Sequence, residues 1–157
     1  MGAMGTRREF LRRSALGGAG LVLLSDRLSA RAYAANEKLN VALIGVGGRG
    51  RAFVNSMPKR ENVVAMCDCN EQRAQPAYKA HPKLPKFHDF RVMIDKMQKE
   101  IDAVVIATPD HIHAPASAAA IRAGIHVYVE KPMTRTVRES RVLRELAKQH
   151  KVATSMG

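Results

Sequence analysis

The 157-residue sequence has no Trp, two Cys, and only 4% aromatic residues. Two cysteines cannot make the disulfide framework of a small secreted scaffold. Cys67 and Cys69 flank Asp68 with no further Cys or His close in sequence, which is not a zinc spacing. On a strand they would share one face, and packing is the role expected of both. The apolar stretch from Ala15 to Leu24 spans ten residues, about half of the ~20 that cross a bilayer, so no stable membrane anchor is expected. Internal repeats and low-complexity linkers are lacking. So are an aromatic RNA-binding motif and a recognition-helix pattern. The formal charge of +12 therefore does not point to nucleic acid.

That charge is unevenly placed. Residues 1–34 hold six Lys/Arg and two acids, and the remainder holds 20 against 12. The N-terminus reads Arg7-Arg8-Glu9-Phe10-Leu11, then the mild apolar stretch with Gly17, Gly18 and Gly20, then Ala32-Tyr33-Ala34. A basic start, a short apolar middle and a small-x-small end are the parts of an export signal. Twin arginines before Phe-Leu resemble a twin-arginine (Tat) signal. We expect residues 1–34 to be that signal, read by the Tat translocase, with the mature chain in the periplasm or outside the cell.

The mature part is organised around residues 39–53. Leu39 to Ile44 is an apolar run of strand length that feeds into Gly45-Val46-Gly47-Gly48-Arg49-Gly50. This is G-x-G-x-x-G where a first strand should turn into a helix. The first glycine permits the tight turn, the second a close backbone approach to a pyrophosphate, and the third close helix–strand packing. Phosphates would rest on N–H groups at the positive end of the helix. Arg49 either reaches a phosphate or faces solvent. A second strand, 62–67, ends in Asp68, 18 positions after Gly50. A carboxylate there accepts bonds from both adenosine ribose hydroxyls and repels a 2′-phosphate, which favours NAD over NADP.

Beyond Lys38 strands alternate with helical patterns, the signature of a doubly wound parallel α/β sheet. Strands are predicted at 39–44, 62–67, 83–87, 101–107, 126–129 and from 152 to 155. Helices are predicted at 49–57, 71–80, 90–99, 114–123 and 137–150. Pro58 and His81-Pro82 act as stops, and Asp89 as an N-cap. Gly124 closes the fourth helix as its C′ residue. Four special sequences then fall at strand ends: the glycine loop, Asp68, Thr108-Pro109-Asp110-His111-Ile112-His113 and Glu130-Lys131-Pro132. Ligands bind at that rim of an open parallel sheet. His111 and His113, two apart in a predicted loop, have no apparent third ligand for a metal. His81, His88, His126 and His150 read as surface or packing residues.

Together, GVGGRG at 45–50, Asp68, ATPDHIHA at 107–114, AGIHVYVEKPMT at 123–134 and VATSMG at 152–157 resemble the N-terminal Rossmann domain of the Gfo/Idh/MocA oxidoreductases, in its secreted bacterial branch. The resemblance covers residues 38–157. It implies a hydride transfer between a carbohydrate and NAD, with Lys131 as the catalytic lysine, buried beside the nicotinamide. Glu130 would contact the nicotinamide side, and Pro132 would follow a cis peptide. Thr108 and Pro109 would line the path from adenosine to nicotinamide. His111 and His113 lie beyond them, with His113 at the cofactor rim or substrate side. Some relatives are redox-neutral glycosidases, which is the alternative reading; a cofactor-binding fragment without turnover is another. The family's second α/β domain builds the substrate pocket and often the oligomer interface. It lies outside this sequence, so the chain is expected to hold the cofactor, or part of it, without a complete active site.

Overall fold

The computed structural model describes residues 38–157; the export signal expected at 1–34 lies outside the described residues. Six strands alternate with five α-helices: β1 (Asn40–Ile44), α1 (Arg51–Ser56), β2 (Asn62–Cys67), α2 (Glu71–Ala80), β3 (Lys86–Phe87), α3 (Phe90–Met97), β4 (Ala103–Ile106), α4 (Asp110–Arg122), β5 (His126–Val129), α5 (Val137–His150) and β6 (Thr154–Met156). All strand pairs are parallel, in the order β3-β2-β1-β4-β5-β6. The order reverses between β1 and β4, and a crevice opens beyond the strand ends at such a point.

The strands are apolar because both faces are covered. Alternate residues supply two cores. Ala42, Ile44, Ala65, Val104, Ile106, Val127 and Val129 pack with Met93 and Ile94 of α3, Ala116, Ala120 and Ile121 of α4 and Leu143 of α5. Val41, Leu43, Met66 and Val105 pack on the other side with Val54 of α1 and Ala74 and Ala77 of α2. The small residues of α2 and α4 let those helices lie close to the sheet. The β1–β2 pairing carries a bulge: Val41 faces Val63, but Ala42 faces Ala65, so Val64 is the extra residue.

Capping sets several boundaries. Asn70 accepts a bond from the Arg73 N–H and opens α2; Asp89 accepts one from the Arg91 N–H and opens α3. Thr136 and Glu139 form a reciprocal capping box at α5. The bounds of β2, α2, β5 and α5 coincide with those predicted from the sequence.

Six boundaries differ by more than a residue, among them the end of α3 at Met97 and the start of β4 at Ala103. The first helix starts at Arg51, and Met57–Lys59 form a 3₁₀ turn with Pro58 in its first positions, where a missing N–H costs nothing. The third strand shrinks to Lys86–Phe87; Pro85 ahead of it has no N–H to donate and contributes only its carbonyl, to Met66 N. The sixth strand begins at Thr154, because Lys151 is left-handed (φ 55°) and Val152 N still closes the helix on Ala147 O. The fourth helix begins at Asp110, not at Ala114. Pro109 is the N-cap, and the helix runs on through Pro115. His111 and His113 are therefore helical.

Candidate functional site: the cleft at the sheet switch point

The turn out of β1 is built by close approaches. Gly45 has φ +85°, and a Cβ on it would lie 2.7 Å from the Ala107 carbonyl oxygen; a Cβ on Gly50 would lie 1.7 Å from the Gly45 carbonyl oxygen. The first and third glycines thus act as the motif requires. The second does something else. A Cβ on Gly47 would meet Arg73 Cβ of α2 at 2.7 Å, while Gly48 has only the Arg73 guanidinium at 3.6 Å. Gly47 is demanded by α2, and Gly48 leaves the opening towards a ligand.

Asp68, at the end of β2, turns its carboxylate into this loop. Oδ2 accepts from Val46 N at 2.9 Å and Gly47 N at 2.8 Å, and Oδ1 accepts from Asn70 N at 2.9 Å. Backbone donors on both oxygens fix its orientation. Two loop amides are thereby taken, so Gly48 and Arg49 are the residues left to present N–H groups to a phosphate.

The cleft holds about 660 Å³ and is lined by Gly45, Gly47, Gly48, Arg49, Asp68, Thr108, Pro109 and His111 among others, within the size range of cofactor pockets. Val46 and Gly50 are buried behind the loop. Sequence reasoning missed the wall beyond Asp68: Asn70, Arg73, His88, Phe90 and Arg91 also line the cleft. Asn70 carried a signal in its helix-capping position after Asp68; the others are brought in by α2 and α3 and had none. Arg91 bonds Asp89 through its guanidinium at 2.6 Å, and its side-chain and backbone hydrogen bonds hold the Asp89 carboxyl below its ordinary range.

The two cysteines part company, because β2 ends at Cys67. Cys67 is buried and Cys69 is exposed at the cleft. Burial, with the charges of Asp68, Asp89 and Cys69 added, pushes the Cys67 thiol up to about 12. It is a packing residue and no nucleophile.

The Glu130-Lys131-Pro132 segment leaves β5 beside the cleft without lining it. Glu130 is 7% exposed, and its carboxylate accepts from Arg49 Nε at 3.2 Å, so Arg49 spans from the glycine loop to the end of β5. The Lys131–Pro132 peptide is cis. Lys131 is exposed; the burial expected of it is against a bound nicotinamide. His113 departs from expectation. It is 1% exposed, and both ring nitrogens lie against backbone carbonyls, Nδ1 at 2.6 Å from Pro132 O and Nε2 at 2.8 Å from Thr108 O. It is an internal brace and not a rim residue, because its place on α4 turns it inward.

These observations fit a dinucleotide. The opening at Gly48 would be filled by a side chain, and Thr108 Oγ1 in the cleft wall is buried with no protein partner. Residues 39–157 match the oxidoreductase family with an NAD-binding Rossmann fold, Gfo/Idh/MocA. The chain belongs to that family. It is 33% identical over 137 residues to a glycosyl hydrolase family 109 protein of Stenotrophomonas maltophilia, covering 79% of this chain and 29% of that one. It is 31% identical over 129 residues to the levoglucosan dehydrogenase of Pseudarthrobacter phenanthrenivorans, covering 74% and 32%. The fold superposes on scyllo-inositol dehydrogenase from Lactobacillus casei, solved with NAD(H) and scyllo-inositol, with a TM-score of 0.70, 22% identity and coverage of 77% and 36%. The family domain thus spans about a third of the length of these relatives.

Proposed function

We propose that this family domain binds NAD in preference to NADP and serves hydride transfer to or from a carbohydrate. The observation that carries the reading is the Asp68 carboxylate, locked onto the glycine loop at the switch point by Val46 N and Gly47 N. Of its roughly four lone-pair sites, one on Oδ1 stays free to accept from a ribose hydroxyl. A 2′-phosphate a few ångströms away would be repelled, at about 4 kcal/mol per pair of unit charges at 4 Å with an effective dielectric of 20. Arg73 and Arg91 on the same wall offset part of that repulsion.

The residues divide the work. Gly48 and Arg49 face the pyrophosphate, with Thr108 Oγ1 and Pro109 along the wall and His111 at the exposed first turn of α4. A bound nicotinamide supplies a hydride acceptor and donor. Lys131 is the acid–base group, its amine taking the proton of the alcohol undergoing oxidation, its ammonium returning one to a carbonyl oxygen. Glu130, tied to Arg49, sets where the lysine segment leaves β5. Domain segments beyond this family region, common to its relatives, would complete the substrate pocket and any homo-oligomer interface. The substrate is a sugar or a sugar-like polyol, a class to which the names of the levoglucosan and scyllo-inositol dehydrogenases belong.

A second reading, redox-neutral glycoside cleavage with the hydride returned to the same sugar, draws support from the curated relatives named glycosyl hydrolase family 109. Product analysis separates the two: a net oxidised sugar for the first, a hydrolysed glycoside for the second. We also propose Tat-dependent export, on the strength of Arg7 and Arg8; replacing both with Lys should retain the protein in the cytoplasm, and normal export would refute it. The binding reading is tested by calorimetric titration of the 157-residue chain with NAD(H) and NADP(H). Asp68→Asn should weaken NAD(H) about tenfold or more, as charge-assisted bonds become neutral ones, and weaken NADP(H) far less. Equal losses for both would overturn the assignment of Asp68.

A further inference from the structure

His113 of α4 touches neither open cleft nor solvent, yet it contacts both parts of the site that must act together. Thr108 follows β4 and forms the wall of the dinucleotide cleft; Pro132 directly follows Lys131. The two segments come from different strands, β4 and β5, and the His113 ring lies between their carbonyl oxygens at 2.8 and 2.6 Å. Carbonyls only accept, so the ring holds both at once when both of its nitrogens carry hydrogen, and one of them when a single nitrogen does. Because the ring is planar and rigid, a bridge through it fixes the separation of the carbonyls as well as pairing them.

We propose that His113 is a positioning residue that sets Lys131 and the Thr108 wall in a fixed relation, so that a ligand seated at Thr108 meets the lysine at a defined place. This deepens the proposed function and rests on its assignment of Lys131. Three further features agree. Glu130 N is bonded to Ile106 O at 2.9 Å, anchoring the segment ahead of the lysine. The Glu130 carboxylate is bonded to Arg49, so the segment is held from the glycine loop on one side and from α4 on the other. With its carbonyl engaged by His113, Thr108 keeps its Oγ1 buried in the cleft wall without a protein partner, a polar group that a ligand could satisfy. His113 thereby orients a binding group and the lysine through a single ring, without touching a ligand itself.

The test uses the 157-residue chain and two variants. His113→Gln keeps an amide able to donate to one carbonyl; His113→Leu keeps bulk and donates to none. The first readout needs no ligand. In His113→Leu the backbone amide signals of Lys131 and Met133 should shift or broaden while those of β1 and β2 stay put, and His113→Gln should restore part of the wild-type pattern. Unchanged Lys131 and Met133 amides in a folded His113→Leu protein would overturn the proposal. Should that variant fail to fold, the same amides are compared in His113→Gln, and their staying unchanged there would overturn it equally. The second readout follows the ¹³C-methylated Lys131 amine, assigned with Lys131→Arg, during titration with NAD⁺ or ADP. Wild type should show a Lys131 response to NAD⁺ but not to ADP. His113→Gln should bind ADP within about twofold of wild type and NAD⁺ several-fold more weakly, with less than half the Lys131 response; an undiminished response would overturn the coupling. A wild-type Lys131 that ignores NAD⁺ would instead overturn the role given to the lysine, while the amide signals would still decide whether His113 holds its segment.

Discussion

Gly50→Ala should be among the most damaging single methyl additions this domain can receive. The new Cβ would stand 1.7 Å from the Gly45 carbonyl oxygen, 2.8 Å from its carbon and 3.3 Å from Ala107 Cβ. An ordinary contact needs a separation roughly twice the first of these, so either the end of β1 or the start of α1 must move by well over an ångström. Neither is free. Gly45 N donates to Cys67 O at 2.7 Å and Ala107 N to Ile44 O at 2.8 Å, while the Gly50 carbonyl accepts from Phe53 N and Val54 N. Losing one such bond among buried groups costs about 1–3 kcal/mol, and the overpacking itself about 1–3 kcal/mol, so the total is roughly 2–6 kcal/mol. Domains hold about 0.05–0.15 kcal/mol per residue, so this is a substantial fraction of the whole stability. Gly124→Ala is the control: φ is +77° but nothing lies within 4 Å of the added atom, leaving only the left-handed penalty of about 1 kcal/mol. Urea unfolding of both variants reads the difference directly. With a slope of about 1–3 kcal/mol/M, the midpoint should fall by roughly 2 M for Gly50→Ala and about 0.5 M for Gly124→Ala. A Gly50→Ala protein within about 1 kcal/mol of wild type, or one more stable than Gly124→Ala, would refute the claim that backbone contact at Gly50 fastens helix to strand.

Three other outcomes follow from the geometry. At pH 8 one thiol of the folded chain, Cys69, should react quickly with an alkylating reagent, and Cys67, pushed up to about 12, only on unfolding; NAD should slow the Cys69 reaction, and mass mapping of the label checks both. Asp89 has a folded-state pKa below its unfolded one because of Arg91, so its contribution is present above the unfolded carboxylate value and is lost as pH falls through the lowered one. Arg91→Met should therefore begin acid unfolding at a higher pH than wild type, with matching slopes above pH ~5, as urea midpoints measured across the acid range would show. Thr136→Ala removes the side chain that accepts from Glu139 N at the head of α5, and a loss of about 1 kcal/mol in the same unfolding assay is expected.

Much of the architecture was legible because local chemistry and tertiary need agree. Asn62–Cys67 is apolar and bounded by a turn and an acid, Glu71–Ala80 has an Asn cap and a proline stop, and Thr136 with Glu139 announces α5. Legibility failed where one residue type carries two meanings. Pro109 follows a predicted strand and yet is the N-cap of α4, so His111 and His113, expected in a loop, are helical. The role of His113 then had no sequence signal, since its partners are carbonyls that every residue possesses. Gly47 was legible as an obligatory glycine but not for its actual neighbour, because Arg73 reaches it only through the packing of α2. Lys131 stands out in the sequence through its setting, whereas its exposure depends on what surrounds the end of β5.

The bulge at Val64 has a consequence for anyone altering this domain. Side chains alternate along a strand, so the extra residue decides which of its successors look inward and where Asp68 emerges relative to the glycine loop. The 18 positions separating Gly50 from Asp68 are therefore of two kinds. Residues added between α1 and β2 lengthen a surface connection and leave the carboxylate where it is. Deleting one residue after the bulge inverts the phase of the strand, turns Met66 into the opposite core and carries the carboxylate away from Val46 and Gly47. Parity within β2, and not distance along the chain, is what an engineered insertion has to preserve.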